Sequence, residues 1–189
     1  MDELEFVRAK LTESHPSGEV LELAAGTGLW TQYLAARAER ITVVDSSPEA
    51  LELCRRKLSD VRLRIFQADL FAWEPDRQYD FVFFGFWLSH VPENQFEAFW
   101  DRVRQAVKPD GRVFFVDNLP DQTATATDQS VDQRSDRAVR RLNDGREFEI
   151  IKIFYDPVEL EERLHHMGWR GSVTTSGDFF LLGDLCRLC

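Results

Sequence analysis

The stretch Val20–Trp30 limits the possible folds of this chain more than any other. It reads VLELAAGTGLW, a short apolar run followed by small residues that include Gly26 and Gly28. Such a run predicts a strand buried on both faces. Glycines at its end can adopt positive φ and let backbone amides approach a ligand closely. The pattern therefore predicts an α/β sheet with a nucleotide-cofactor site at its first turn.

Two positions, one within this stretch and one directly after it, bear on the kind of cofactor that fits. Glu22 interrupts the apolar run, and a buried acid is costly unless it faces a polar partner at the carboxyl end of the strand. The dinucleotide fingerprint Gly-x-Gly-x-x-Gly requires a third glycine three residues after the second. Here that position is Thr31. The incomplete fingerprint disfavours a nicotinamide-dependent oxidoreductase, which we keep as an alternative.

Charge and composition exclude several classes of partner. The formal net charge of the 189 residues is −10, whereas binding to nucleic-acid phosphates depends on a basic surface. No apolar run approaches the ~20 residues that span a bilayer, and the acidic start Met1–Glu5 is unlike a signal peptide. The three cysteines lack the further ligands of a metal site. We expect one cytoplasmic domain over residues 1–189, without metal, membrane or nucleic-acid binding, and the oligomeric state stays open.

Acidic residues follow several further apolar runs. Because parallel crossovers are right-handed, the carboxyl ends of such strands meet at one edge of the sheet, so Asp45 is expected to face the glycine turn. The most apolar run is expected to be the central strand. The runs are Ile41–Asp45, Arg62–Gln67 followed by Asp69, Tyr79–Gly85 as the most apolar, and Arg112–Asp117.

Shorter patterns complete the prediction. Leu29, Trp30, Tyr33 and Leu34 predict a helix face against the sheet, and Lys108–Gly111 predicts a turn. Residues 119–146 are polar and long for a loop, which predicts a mobile lid or substrate segment. A strand over Glu147–Tyr155, a helix opened by Asp156 and Pro157, and an antiparallel hairpin over residues 173–182 are expected to follow.

The motifs VLELAAGTGLWT, VVDSSPEALE, QADLFAW, YDFVFFGFWLSHVP and KPDGRVFFVD occur in the order and at the spacing of a known family. The chain resembles the class I S-adenosylmethionine (SAM)-dependent methyltransferases, above all the small bacterial enzymes that act on small molecules. The resemblance implies a doubly wound, mostly parallel seven-stranded sheet of order 3-2-1-4-5-7-6 with an antiparallel C-terminal hairpin and helices on both faces. It also implies methyl transfer from SAM to an O, N or S atom of a small-molecule acceptor, with S-adenosylhomocysteine (SAH) as product.

The same resemblance assigns roles to residues at the motif positions. It implies that Glu22 and the turn Ala24–Gly28, with Ala24 in place of the family's first glycine, hold the methionine part of the cofactor. It further implies that Asp45 and Ser46 hold the ribose, that Asp69 and the Leu70 backbone hold the adenine, and that Phe84 and Phe86 line the methionine end.

His90 is the candidate catalytic base, because it follows the fourth strand by a short aromatic loop and titrates near neutrality. The alternative is a loop residue bonded to the backbone. Asp117 and Asn118 either reach the acceptor or cap the end of their strand. A second function also stays open at this point, a protein that binds SAM or SAH without catalysis, because fold alone does not decide function.

Overall fold

The computed structural model describes residues 2–58, 62–120, 129–131, 137–141 and 147–188. Five α-helices and ten strands lie within these ranges. The helices are α1 Glu3–Glu13, α2 Thr31–Ala35, α3 Pro48–Lys57, α4 Phe96–Ala106 and α5 Pro157–His166. The strands are β1 Glu19–Leu23, β2 Arg40–Asp45, β3 Leu63–Gln67, β4 Tyr79–Gly85, β5 Val107–Asn118, β6 Gln129–Val131, β7 Arg137–Arg141, β8 Glu147–Ile151, β9 Trp169–Thr175 and β10 Phe180–Arg187.

Seven strands form one sheet of order β3-β2-β1-β4-β5-β10-β9. Strands β1 to β5 pair in parallel, whereas β10 is antiparallel to both β5 and β9. Counted within this sheet alone, the order is 3-2-1-4-5-7-6, so the predicted fold is confirmed. The most apolar strand, β4, is the central one, as its burial on both faces requires.

Helices cover both faces of the sheet and enclose a hydrophobic core on each. One core packs α4 and α5 against the side chains of Val82 and Phe84. The other packs α1, α2 and α3 against Val20, Phe81 and Phe83. Because successive strand residues point to opposite faces, the continuous apolar run of β4 contributes to both cores.

Two helices begin at the residues that the sequence indicates. Ser47 caps α3 by accepting a hydrogen bond from Ala50 N at 3.1 Å. Asp156 caps α5 by accepting from Val158 N and Glu159 N. In both cases proline occupies the first helical turn, where no intrahelical donor is needed. Across the described ranges, no helix combines the length and the apolar character required to cross a membrane.

Two local predictions are wrong. The Lys108–Gly111 turn lies inside β5, which begins at Val107 and shifts register against β4 between Tyr79 and Phe81. The residues that predict a turn therefore form an irregularity within a strand. Leu29 precedes the short helix α2 and is 47% exposed, so it does not belong to the buried face that Trp30 and Leu34 form.

A second, three-stranded antiparallel sheet of order β6-β7-β8 follows β5. The strand predicted over Glu147–Tyr155 ends at Ile151 and belongs to this sheet. Most of the predicted lid falls outside the described residues, namely 121–128, 132–136 and 142–146. The lid therefore stays a prediction. The hairpin predicted over residues 173–182 is present as β9 and β10; β9 begins four residues earlier than predicted and β10 ends five residues later.

Candidate cofactor and acceptor site

The turn after β1 has an unusual backbone conformation. Ala24, Gly26 and Gly28 all have positive φ, at 53°, 53° and 79°. Gly28 N donates to Ala25 O at 3.0 Å, and Ala25 N donates to Val44 O at 3.3 Å, which joins the turn to β2. Positive φ strains alanine by on the order of 1 kcal/mol. The turn thus keeps the conformation that glycine favours even where Ala24 replaces glycine.

The two glycines of the turn are needed for different reasons. A Cβ built on Gly26 would meet nothing within 4 Å, so open space lies beside the backbone there. A Cβ on Gly28 would lie 2.8 Å from Cys54 Sγ, because α3 packs directly against that residue. Gly26 therefore leaves room for a ligand, whereas Gly28 allows close packing of the helix.

Glu22 lies beneath this turn and is only 2% exposed. Burial raises the pKa of Glu22 to about 8, a hydrogen bond with the Thr31 hydroxyl lowers it, and the negative charge of Asp45 raises it. Among the described residues, none forms a hydrogen bond with Glu22 Oε2. Burial thus disfavours the charged form of this carboxyl group, and one of its oxygens has no hydrogen-bond partner among the described residues.

Asp45 at the end of β2 contacts the turn, as predicted. Its Oδ2 accepts a hydrogen bond from Gly26 N at 2.8 Å, and its Oδ1 accepts from Ser47 N at 2.9 Å. Ser46, which lies between Asp45 and Ser47 in the chain, is exposed. Two backbone amides therefore hold the carboxylate in place beside the open space at Gly26. The ribose contact of Asp45 and Ser46 stays a prediction.

The loop after β3 lies next to Asp45. Ala68 N donates to Asp45 O at 2.9 Å, which joins the two strand ends. Asp69 is exposed, and its Oδ1 accepts from Phe71 N at 2.9 Å in a tight turn. Leu70 is 5% exposed and belongs to the core on the α4 side. The adenine contact of Asp69 and the Leu70 backbone stays a prediction.

The two phenylalanines after the middle of β4 differ. The Phe84 ring is 0% exposed and stacks on Phe115 at 5.4 Å between centroids. The Phe84 ring is thus enclosed in the core, and the prediction that Phe84 lines the methionine end of the cofactor stays a prediction. Phe86 has φ 58° and is partly buried, with its ring 6.4 Å from Trp30 and 5.9 Å from Phe180. Its ring lies on the opposite face of the sheet from that of Phe84.

His90 ends a 3-10 turn, Leu88–His90, that follows β4. Its Nδ1 is 2.6 Å from Ile151 O. Since a carbonyl oxygen only accepts, Nδ1 carries the proton and Nε2 is the basic nitrogen of the neutral ring. The backbone contact considered as the alternative is therefore present, and it orients the ring in the tautomer that a base acting through Nε2 requires.

Lys152 is the residue of this region that the sequence interpretation missed. Its ammonium is 6% exposed and donates to Ser89 Oγ at 2.8 Å and Asn118 Oδ1 at 3.3 Å. It also lies 3.4 Å from Asp117 Oδ1. The available signal was a lone lysine in the apolar run Ile150–Ile153, since a buried cation needs a counter-charge.

Asp117 completes this cluster. It is 1% exposed, and it accepts hydrogen bonds from Ser89 N and Asn118 N, both at 2.8 Å. Ile153 N donates to Ser89 O at 2.8 Å. The segment after β8 is therefore bonded to the 3-10 turn and to the end of β5, at the same sheet edge as the glycine turn.

A cavity of about 510 Å³ lies beside these contacts. Pro92, Glu93 and Asn94 line one side of it. Ile151, whose carbonyl contacts His90, lines the other together with its neighbours on β8. The volume falls in the range of small-molecule sites.

Comparison with known proteins identifies a family and several similar proteins. Residues 20–111 match the family described as a methyltransferase domain. The chain is 30% identical over 98 residues to the demethylmenaquinone methyltransferase of Tropheryma whipplei (strain Twist), a match that covers 50% of this chain and 39% of that protein. The match therefore spans well under half of that relative's length.

Two solved structures of the protein DhpI match over nearly the whole chain. The complex of DhpI with SAH is 41% identical, has a TM-score of 0.85, and is matched over 100% of this chain and 86% of that one. The complex of DhpI with SAM and HEP is 37% identical, with a TM-score of 0.81 and coverage of 96% and 94%.

Proposed function

The chain belongs to the SAM-dependent methyltransferases, and from that premise we propose that it methylates an O, N or S atom of a small molecule. SAM is its cofactor and SAH the product of the transfer. The acceptor and the individual residue roles below are the proposal.

One observation carries the assignment of the cofactor to the turn after β1. Asp45, a fixed carboxylate, lies beside the open space at Gly26, and Glu22, on the strand that leads into the same turn, has a buried carboxyl oxygen without a hydrogen-bond partner among the described residues. Buried polar groups without partners are rare in folded proteins. A ligand with hydroxyls and positive charge satisfies both acids, and SAM has a ribose, an ammonium and a sulfonium. The residues present therefore fit this cofactor.

We assign the methionine part of SAM to Glu22 and the Ala24–Gly28 turn. Asp45 and Ser46 accept from the ribose hydroxyls, and Asp69 with the Leu70 backbone holds the adenine. Asp45 keeps acceptor capacity for this, because each carboxylate oxygen has a second lone pair beyond its amide partner. Phe86 borders the methionine end on the Trp30 side.

When bound, SAM supplies a methyl group already activated on a positively charged sulfur. The chain then has to orient the acceptor in line with that methyl and exclude water. His90 accepts the acceptor's proton at Nε2 where the acceptor must lose one, since Ile151 O holds the proton on Nδ1. Lys152 and Asp117 fix the 3-10 turn that carries His90.

A small-molecule acceptor is supported by charge and by volume. The net charge of −10 disfavours nucleic acid, and the cavity beside Ile151 has the size of a small-molecule site. The relative from Tropheryma whipplei also acts, by its name, on a small molecule.

The test is transfer of label from methyl-labelled SAM. The wild-type protein is incubated with a small-molecule metabolite extract, purified RNA or purified protein as acceptor. We expect label in the small-molecule fraction, and loss of most of that label with His90→Ala if the acceptor must lose a proton. Label found only in RNA or protein would overturn the small-molecule acceptor. SAH binding without transfer to any fraction would overturn catalysis.

A further inference from the structure

Glu22 combines deep burial with an unsatisfied oxygen at the point where β1 meets the glycine turn. By the alternation of β1, its side chain lies on the same face as Val20, the face that α2 and α3 cover. It is 2% exposed, and its Oε2 forms no hydrogen bond with any of the residues that the structure describes. A buried carboxyl group in this situation is unfavourable unless a ligand completes it.

The groups that face Glu22 come from three elements. From α2, the Thr31 hydroxyl forms a hydrogen bond with it, and from β2, Asp45 adds a second acid. From α3, the Cys54 thiol lies 3.7 Å from Thr31 Oγ1. Lys57 of α3 donates to Thr27 Oγ1 at 3.3 Å. Burial raises the pKa of the Cys54 thiol, and the positive charge of Lys57 opposes that rise.

Two neighbouring acids without a cation between them cannot both be ionised cheaply. Asp45 accepts two backbone amides and is the better stabilised anion. We propose that Glu22 is protonated in the free protein and releases that proton when the ammonium group of the cofactor's amino-acid part binds at the turn. The O–H bond of the carboxylic acid breaks, the proton passes to solvent, and the carboxylate forms an ion pair with the ligand.

This inference rests on the proposed cofactor site and adds the release of one proton to the binding reaction. Burial raises the pKa of Glu22 to about 8 in the free protein, so the proton is present at pH 7. A cation bound nearby lowers that pKa. Affinity for SAH therefore rises with pH, by up to tenfold per pH unit, between the pKa of the complex and the pKa of the free protein, and levels off above the latter.

Isothermal titration with SAH measures the released proton directly. Titrations at pH 7 in buffers of different ionisation enthalpy give the number of protons released per SAH bound. We expect close to one proton from the wild-type protein and a clearly smaller number from Glu22→Gln, which cannot ionise. Glu52→Gln makes the same chemical change at a half-exposed site of α3 and is expected to behave as wild type. The ligand's own titration is common to all three proteins.

A second ligand tests which part of the cofactor is responsible. 5′-Methylthioadenosine lacks the amino-acid part, so its binding is expected to release no proton from Glu22. Equal release with both ligands would overturn the proposal. So would SAH binding to the wild-type protein with no release, or undiminished release from Glu22→Gln. Failure of SAH to bind at all would overturn the proposed cofactor site itself.

Glu22→Gln is checked for folding by circular dichroism before titration. If that variant does not fold, carbon-13 spectra of the glutamate carboxyls in the wild-type protein decide. We expect one buried glutamate to titrate near pH 8 without ligand and at lower pH with SAH. A set of glutamates that all titrate near their ordinary value in the free protein would overturn the proposal.

Discussion

Glu22 is the last residue but one of β1 and Asp117 is the last but one of β5. Both residues are almost completely buried, at 2% and 1% exposure. Asp117 accepts hydrogen bonds from two backbone amides and lies 3.4 Å from the Lys152 ammonium. Glu22 has the Thr31 hydroxyl and the neighbouring negative charge of Asp45, and one of its oxygens has no hydrogen-bond partner among the described residues. We call Ser89, His90, Asp117 and Lys152 the proposed acceptor region, and Glu22, the turn Ala24–Gly28 and Asp45 the proposed cofactor region. The buried acid of the acceptor region has its partners within the protein. The buried acid of the cofactor region has an oxygen that a ligand can complete.

This difference separates two ways of building a functional site. In the acceptor region the buried ion pair holds together segments that are distant in the chain, namely the 3-10 turn, the end of β5 and the residues after β8. In the cofactor region the turn is continuous in the chain and is held by hydrogen bonds to β2. The Glu22 oxygen that lacks a partner among the described residues can be completed by a ligand. The first arrangement positions the 3-10 turn that carries His90, and the second provides a group that a ligand can bind.

The largest expected effect is on turnover, from His90→Ala. If the acceptor must lose a proton, we expect turnover to fall by ~10²–10⁴-fold while SAH affinity stays nearly unchanged, since a base acts in the transition state. Steady-state rates and SAH titration on the same variant measure the two quantities. A loss of SAH affinity as large as the loss of turnover would assign His90 to the cofactor region and contradict the separation of the cofactor region from the acceptor region.

Asp117→Asn removes the counter-charge of the buried Lys152 and one backbone acceptor. We expect the free energy of unfolding to fall by about 3–5 kcal/mol, because an uncompensated buried charge remains. Urea unfolding measures it. The double variant with Lys152→Met is expected to recover most of the loss. A fall below about 1 kcal/mol would mean that the ion pair does not hold the acceptor region together.

Glu22→Gln is expected to raise the free energy of unfolding, whereas Asp117→Asn lowers it. Between the ordinary pKa of 4.5 and the raised value of about 8, the folded protein keeps a proton that the unfolded chain has released, so wild-type stability falls as pH rises through this window. Glutamine does not titrate. The variant's advantage in free energy of unfolding should therefore grow by about 1.4 kcal/mol per pH unit and reach about 3 kcal/mol at pH 7. Parallel stability profiles from pH 5 to 8 would contradict this account.

Asp45→Ala tests the cofactor region with a smaller effect. We expect SAH affinity to fall by about 1.5–3 kcal/mol, the contribution of a charge-assisted hydrogen bond, with a larger loss if both ribose hydroxyls are held. Titration calorimetry measures it, and Asp101→Ala, an exposed acid on α4, is the matched control. An unchanged dissociation constant would remove Asp45 from the site.

The cofactor region could be predicted largely from the sequence because its residues are contiguous. Residues 20–28 define both a strand and its turn, and the rule that parallel strands share an edge brings Asp45 to Gly26, as its hydrogen bond confirms. The order of the main sheet was implied by the resemblance to the methyltransferase family, and the structure has that order.

The acceptor region could not be predicted in this way, because its contacts join residues far apart in the chain. Lys152 meets Ser89 across 63 positions, and no local pattern specifies that pairing. The burial of the Phe84 ring could not be predicted for another reason. In a strand that is apolar throughout, alternation does not tell which side chains reach the ligand edge and which enter the core.

The central claim is that the turn after β1 recognises the SAM skeleton and not a dinucleotide, and paired calorimetric titrations of the wild-type protein with SAH and with nicotinamide adenine dinucleotide test it most directly. We predict saturable binding of SAH with one site per chain, loss of affinity with Asp45→Ala, and no detectable binding of the dinucleotide. Binding of the dinucleotide alone, with no heat from SAH, would contradict the account.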